Sequence, residues 1–75
     1  YYSRATARYN VGDYQGALKD FTQTIKLNPK NEKAWLERGI TKLQLSQLES
    51  ACEDIKKAVE LGNKEAINYM NEYCK

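Results

Sequence analysis

Apolar residues recur along the chain with the period of an α-helix. The first predicted helix covers residues 1 to 11, and its apolar face consists of Tyr1, Ala5 and Tyr9. A second stripe predicts a helix that begins after Asp13, a good N-cap residue, and continues to about Leu27. It ends there because Pro29 follows, and the residue before a proline avoids the helical region. The stripe consists of Ala17, Leu18, Phe21 and Ile25.

The same pattern predicts a third and a fourth helix. Asn31 can cap the third helix, which extends to about Leu45 and carries an apolar stripe. The segment Ser46–Glu49 fits a capping box, in which serine and glutamate side chains bond each other's backbone N–H groups. The fourth helix is therefore predicted to begin there and to end near Leu61. Its apolar positions are Leu48, Ala51, Cys52, Ile55, Ala58 and Val59.

A fifth helix is predicted at the end of the chain. Gly62 is a natural C-terminal stop for the fourth helix, and Asn63 can cap a helix from Lys64 to Tyr73. The connections are only about two to five residues long, so consecutive helices must lie antiparallel. No strand pattern is present. The sequence therefore predicts an all-α fold of five helices, built from antiparallel helix-turn-helix units.

The helical pattern repeats every 34 residues, as Tyr1, Trp35 and Tyr69 illustrate. Further pairs in this register are Ala5 and Gly39, Ala17 and Ala51, and Phe21 and Ile55. At this length and with these residues, the chain resembles tetratricopeptide repeats, whose unit is a helix-turn-helix of 34 residues. The resemblance implies a right-handed solenoid: an N-terminally truncated first repeat at 1–31, a second repeat at 32–65, and a capping helix at 66–75. Since residue 1 already lies inside a repeat, we expect a segment of a longer repeat protein.

Two charge pairs share the 34-residue register: Arg4 with Asp20, and Arg38 with Asp54. The members of each pair are sixteen residues apart, which places them opposite each other in an antiparallel hairpin. We predict an ion pair between the helices of each unit. It would set the register more than it adds stability, because desolvation offsets much of the attraction. The alternative is that both arginines face a carboxylate of a ligand.

The resemblance also implies a binding surface, because the first helices of such solenoids line a concave groove. The groove positions would be Tyr2, Thr6, Tyr9 and Asn10 in the first unit, and Lys33, Leu36, Ile40, Leu43 and Gln44 in the second. Tyrosine and leucine would receive the side chains of an extended peptide, while Asn10 and Gln44 would bond its backbone. The expected role is a protein-interaction scaffold. The alternative is a structural module whose groove packs against another copy or against the missing part of a larger protein.

One specialised use of the groove is not supported. Family members that hold chaperone C-termini do so with a carboxylate clamp of lysine and asparagine. Here the clamp positions are occupied by Tyr2, Thr6, Leu36, Glu37 and Ile40. We therefore expect a protein or peptide partner of unknown identity and do not carry over chaperone binding.

Composition argues against catalysis, cofactors and other classes of partner. The chain has no histidine, the most common general base near neutral pH, and no glycine-rich phosphate loop. Two cysteines alone are too few for a structural zinc site. The 12 basic and 10 acidic residues are interleaved, unlike the dense basic stripe of nucleic-acid binders. No apolar run approaches the roughly 20 residues of a membrane span. The sequence thus predicts neither an enzyme nor a metal or cofactor site.

The two cysteines allow two interpretations. Cys52 lies early in the fourth helix and Cys74 late in the fifth, so a turn near Gly62 brings them to nearly the same level. We favour the interpretation that both are small apolar fillers of the core. The alternative is a disulfide, which needs Cα atoms within about 7 Å. Since disulfide-stabilised secreted scaffolds carry more cysteine, the sequence favours a reducing compartment such as the cytosol.

Overall fold

The computed structural model describes residues 1–74 and consists of five α-helices. They are α1 (Tyr2–Asn10), α2 (Tyr14–Leu27), α3 (Glu32–Gln44), α4 (Leu48–Glu60) and α5 (Lys64–Tyr73). Each helix packs against the next one in the chain. The predicted all-α fold of helix-turn-helix units is confirmed. Among the described residues, none of the helices has the length and apolar character that a membrane crossing requires.

Three of the helices begin with a predicted N-cap. The side-chain oxygens of Asp13, Asn31 and Asn63 each accept a hydrogen bond from the backbone N–H three residues later, at 3.0, 3.3 and 2.9 Å. Each bond satisfies one of the N–H groups that a helix leaves without an intrahelical partner at its start. The predicted caps of α2, α3 and α5 are therefore confirmed.

The predicted capping box of α4 is wrong. The N-cap of α4 is Gln47, which makes no capping bond through its side chain. Ser46 instead ends α3 in the left-handed region, with φ +60°, as Gly12 and Gly62 end α1 and α4 at φ +87° and +97°. The N–H of Ser46 donates to the Leu43 carbonyl at 3.1 Å, and the next N–H closes a second bond onto the last turn of α3. Serine therefore occupies a turn position where the α1–α2 and α4–α5 turns have glycine.

Small residues bring the paired helices close together. One core cluster consists of Ala5, Ala17 and Phe21, and the second consists of Leu36, Ile55, Ala58 and Ala66. At Gly39 the approach of α4 is so close that a Cβ atom would lie 2.8 Å from Cγ1 of Ile55 and 3.1 Å from the carbonyl oxygen of Ala51. The α3–α4 hairpin can therefore form at this separation because residue 39 has no side chain.

Both of the predicted charge pairs lie in bidentate contact. Arg4 donates from Nε and Nη2 to Asp20 at 2.9 and 2.8 Å, and Arg38 donates to Asp54 at 2.8 Å through both nitrogens. The guanidinium groups also lie over the equivalent aromatic rings, 5.4 Å from the centre of Tyr1 and 4.9 Å from that of Trp35. Because an aspartate already accepts the bidentate hydrogen bonds of each arginine, the structure does not favour the alternative in which these arginines bind a ligand carboxylate. The role of the pairs in setting the register stays a prediction.

The interpretation of the cysteines as unbridged fillers is wrong. Cys52 and Cys74 form a disulfide, with their Cα atoms 5.6 Å apart. The bond fastens the C-terminal end of α5 to the first turns of α4, because the short turn at Gly62 folds α5 back along α4. The compartment that the cysteine count favoured stays a prediction. The predicted capping segment ends at Lys75, which lies outside the described residues.

Candidate functional site

A partly open cavity of about 260 Å³ lies where α1, α3 and α5 meet. It is lined by Thr6, Tyr9, Asn10, Phe21, Glu37, Ile40 and Tyr69. We call this cavity and its seven lining residues the groove. Four of the nine residues that the repeat pattern placed on a binding surface line it: Thr6, Tyr9, Asn10 and Ile40. Its walls combine aromatic and aliphatic side chains with a few polar atoms, as ligand sites commonly do.

Polar and aromatic contacts hold one side of the groove in place. The Tyr9 ring packs edge-on against Tyr14, with ring centres 5.2 Å apart. Its hydroxyl accepts a hydrogen bond of 3.3 Å from the Gln44 side chain, which links α1 to the end of α3. Gln44 was expected to bond a peptide backbone, and its carbonyl oxygen remains as an acceptor beside this bond. The wall at Tyr9 is therefore preorganised, which lowers the entropic cost of binding.

A half-buried carboxylate forms the charged part of the groove. Glu37 of α3 lies close to the hydroxyl of Tyr2, whose ring packs edge-on against Phe21 at 5.9 Å. Burial, together with the Glu37 carboxylate, raises the pKa of Tyr2 to about 12. Burial also raises the pKa of Glu37, against the opposing effects of the Tyr2 hydroxyl and of Lys33. The groove therefore contains a half-buried carboxylate whose charged form is disfavoured by burial.

Five of the nine predicted residues do not line the groove: Tyr2 and Gln44 contact residues of its wall, and the other three lie elsewhere. Leu36 is only 4% exposed and belongs to the core with Ile55 and Ala66, so its prediction as a ligand contact is wrong. The reason is that Ala66 of α5 completes the core cluster to which Leu36 belongs. Leu43 is partly buried against the same core, and Lys33 is exposed outside the lining of the groove.

The sequence interpretation missed three residues of the groove. Phe21 forms its floor from α2, and Glu37 was considered only as a departure from the carboxylate clamp. Tyr69 belongs to α5, which was treated solely as a cap. The missed signal was the 34-residue register, because α5 stands where the first helix of a third unit would stand and therefore lines the groove as α1 and α3 do.

Comparison with known families decides the class of the module. Models of the tetratricopeptide repeat match residues 1–31 and residues 32–61. The chain belongs to the tetratricopeptide repeat family. Such repeats act in protein–protein interaction, so the general role of this tetratricopeptide module is to interact with protein partners.

Curated tetratricopeptide relatives agree with this class. The chain is 34% identical over 70 residues to "Protein STIP1 homolog" of Dictyostelium discoideum, which covers 93% of the chain and 12% of that protein. It is 36% identical over 62 residues to "Protein SGT1 homolog" of Oryza sativa subsp. japonica, covering 83% and 16%. It is 32% identical over 59 residues to "Hsp70-Hsp90 organizing protein 2" of Arabidopsis thaliana, covering 79% and 10%. The chain thus spans a small part of the length of each of these relatives.

Proposed function

We propose that this module is a non-catalytic scaffold that binds an extended segment of a protein partner in the groove. The observation that carries the proposal is the cavity of about 260 Å³ between α1, α3 and α5, with Tyr9, Ile40 and Tyr69 among its walls. In this proposal the first repeat is 1–31, the second is 32–65, and the segment from residue 66 closes the core while lining the groove through Tyr69.

Binding would combine apolar docking with a few directional bonds. An apolar or aliphatic segment of the partner packs between Tyr9, Ile40 and Tyr69, and this burial supplies most of the affinity. Asn10 is exposed beside the cavity and can bond the peptide backbone, as can the free carbonyl oxygen of Gln44. Two repeats offer a small area, so we expect a weak to moderate affinity that depends on few contacts.

The name of the Arabidopsis relative refers to two chaperones, but our proposal does not extend chaperone binding to this chain. A clamp for a terminal carboxylate needs cations in the groove. The charged residue that lines this cavity is Glu37, and the two side chains beside it on α1 and α3 are Thr6 and Ile40. A ligand carboxylate would therefore meet a carboxylate of like charge instead of a lysine.

A second candidate function is assembly through α5. Ile67, a large apolar residue of this helix, is 45% exposed, and a further unit of a solenoid would stack on the last helix. A second copy that packs against this face would make the mass depend on concentration. Sedimentation across a concentration series tests this candidate, and a constant monomer mass would exclude it.

The groove itself is tested by a paired substitution. Tyr9→Asp together with Ile40→Asp places two charges on its walls, so peptides selected from a displayed library on the wild-type protein should lose their binding. Gln23→Asp together with Leu27→Asp is the control matched in charge, because both residues are exposed on α2 and lie outside the groove. Circular dichroism verifies that both variants fold. Unchanged peptide affinity in the folded groove variant would refute the proposal.

A further inference from the structure

We propose that the groove selects a basic side chain, lysine or arginine, of the bound peptide, with the Glu37 carboxylate as its acceptor. This inference rests on the proposed peptide-binding function and specifies the chemistry of the ligand. It follows from three features of the site: the shape and lining of the cavity, the position of the carboxylate, and the distribution of the surrounding cations.

The lining of the groove suits a long amphipathic side chain. Ile40 and Tyr69 provide apolar surface for a methylene stem, and Glu37 lies in the same cavity to receive the charged head. The Tyr9 and Tyr69 rings also line the cavity, and aromatic rings attract an ammonium or a guanidinium group. A purely aliphatic side chain would fill the same space but would leave the carboxylate without a charged partner.

Four basic residues of α1 and α3 pair with buried aspartates and not with Glu37. Two basic residues lie within 4 Å of each buried aspartate: Arg4 and Arg8 of Asp20, and Arg38 and Lys42 of Asp54. Within residues 1–74, no basic side chain lies within 4 Å of Glu37 as an ion pair. Lys33, one turn earlier on α3, lowers the pKa of Glu37 electrostatically without an ion-pair contact. Glu65 of α5 adds a second negative charge nearby, which raises that pKa.

The environment of Glu37 favours the binding of a cationic side chain. Burial disfavours its charged form and raises its pKa, and the neutral Tyr2 hydroxyl nearby opposes this effect without supplying charge. A hydrogen bond to a charged group contributes roughly 1.5–3 kcal/mol, which corresponds to a factor of at least ten in affinity. The half-exposed position lowers this gain, so we expect a preference of about tenfold for a basic over an isosteric neutral side chain.

Three short peptide libraries test the inference on the full chain. Each has random neutral flanking residues and one fixed central residue: lysine, norleucine or glutamate. Binding of the labelled libraries is measured by fluorescence anisotropy. The lysine library should bind about tenfold more tightly than the norleucine library. Glu37→Gln should remove this difference, whereas Glu53→Gln, an exposed site on α4 outside the groove, should preserve it.

The outcomes separate this inference from the groove function. Equal binding of the lysine and norleucine libraries, or a preference for the glutamate library, would overturn the basic selectivity and leave the groove intact. Absence of binding by all three libraries would refute the groove and the selectivity together. Glu37→Lys provides a second variant whose preference should reverse towards the glutamate library, and an unchanged preference for lysine would also overturn the assignment.

Discussion

The disulfide is predicted to provide a large part of the stability of the module. It joins Cys52 and Cys74 at a sequence separation of 22 residues, and so it restricts the unfolded chain to a closed loop of that length. The chain-entropy relation gives about 3 kcal/mol for such a loop. In a domain of 75 residues, each kcal/mol shifts the melting temperature by roughly 4–8 °C. Replacing both cysteines by serine should therefore lower the melting temperature by roughly 12–24 °C.

Thermal unfolding followed by circular dichroism measures this effect. The wild-type protein in the presence of a reductant should melt close to the double variant Cys52→Ser/Cys74→Ser. The double variant provides the control, because the reductant should leave its melting temperature unchanged. Equal melting temperatures of the wild-type protein and the variant without reductant would contradict this prediction. Two reactive thiols in the unfolded, unreduced wild-type protein would contradict it as well.

Two further predictions concern stability. Ser46→Gly should raise the free energy of unfolding by about 0.5–1 kcal/mol in urea, because glycine adopts the left-handed backbone of this turn without strain; Ser3→Gly, on the exposed face of α1, should show no gain. The guanidinium of Arg4 holds the pKa of Asp20 below its usual range, so this pair stabilises the fold above a pH of about 4 and loses its effect as the pH falls through the folded pKa. Asp20→Asn should flatten the acid limb of stability against pH, and an unchanged acid limb in urea titrations would contradict this assignment.

The sequence predicted the fold because the repeat constrains many positions at once. Apolar residues at a helical period define five helices, and Asp13, Asn31 and Asn63 mark where three of them begin. The charge pairs could be located from spacing alone, since residues sixteen apart face each other in a hairpin that turns midway. Such features depend on local backbone geometry and on short connections, both of which can be inferred from residue types.

The errors concern features that depend on tertiary geometry. Ser46 fits the residue pattern of a capping box, but in the structure its backbone adopts the left-handed conformation that ends α3. Whether Cys52 and Cys74 meet depends on a few ångströms between α4 and α5, which a sequence does not define. Leu36 was expected in the groove and lies in the core, whereas Tyr69 was expected only in the cap and lines the groove. Both placements depend on how α5 packs, which the sequence does not define.

The fifth helix connects the stability of the module with its proposed binding surface. Ala66 is fully buried against the α3–α4 core, so α5 completes that core, while Tyr69 one turn later lines the groove. The disulfide fixes the far end of the same helix. A tetratricopeptide unit that only shielded the core would need apolar contacts on its inner face alone. The aromatic side chain that α5 places in the groove is better explained if the closing helix also forms a wall of the peptide-binding site.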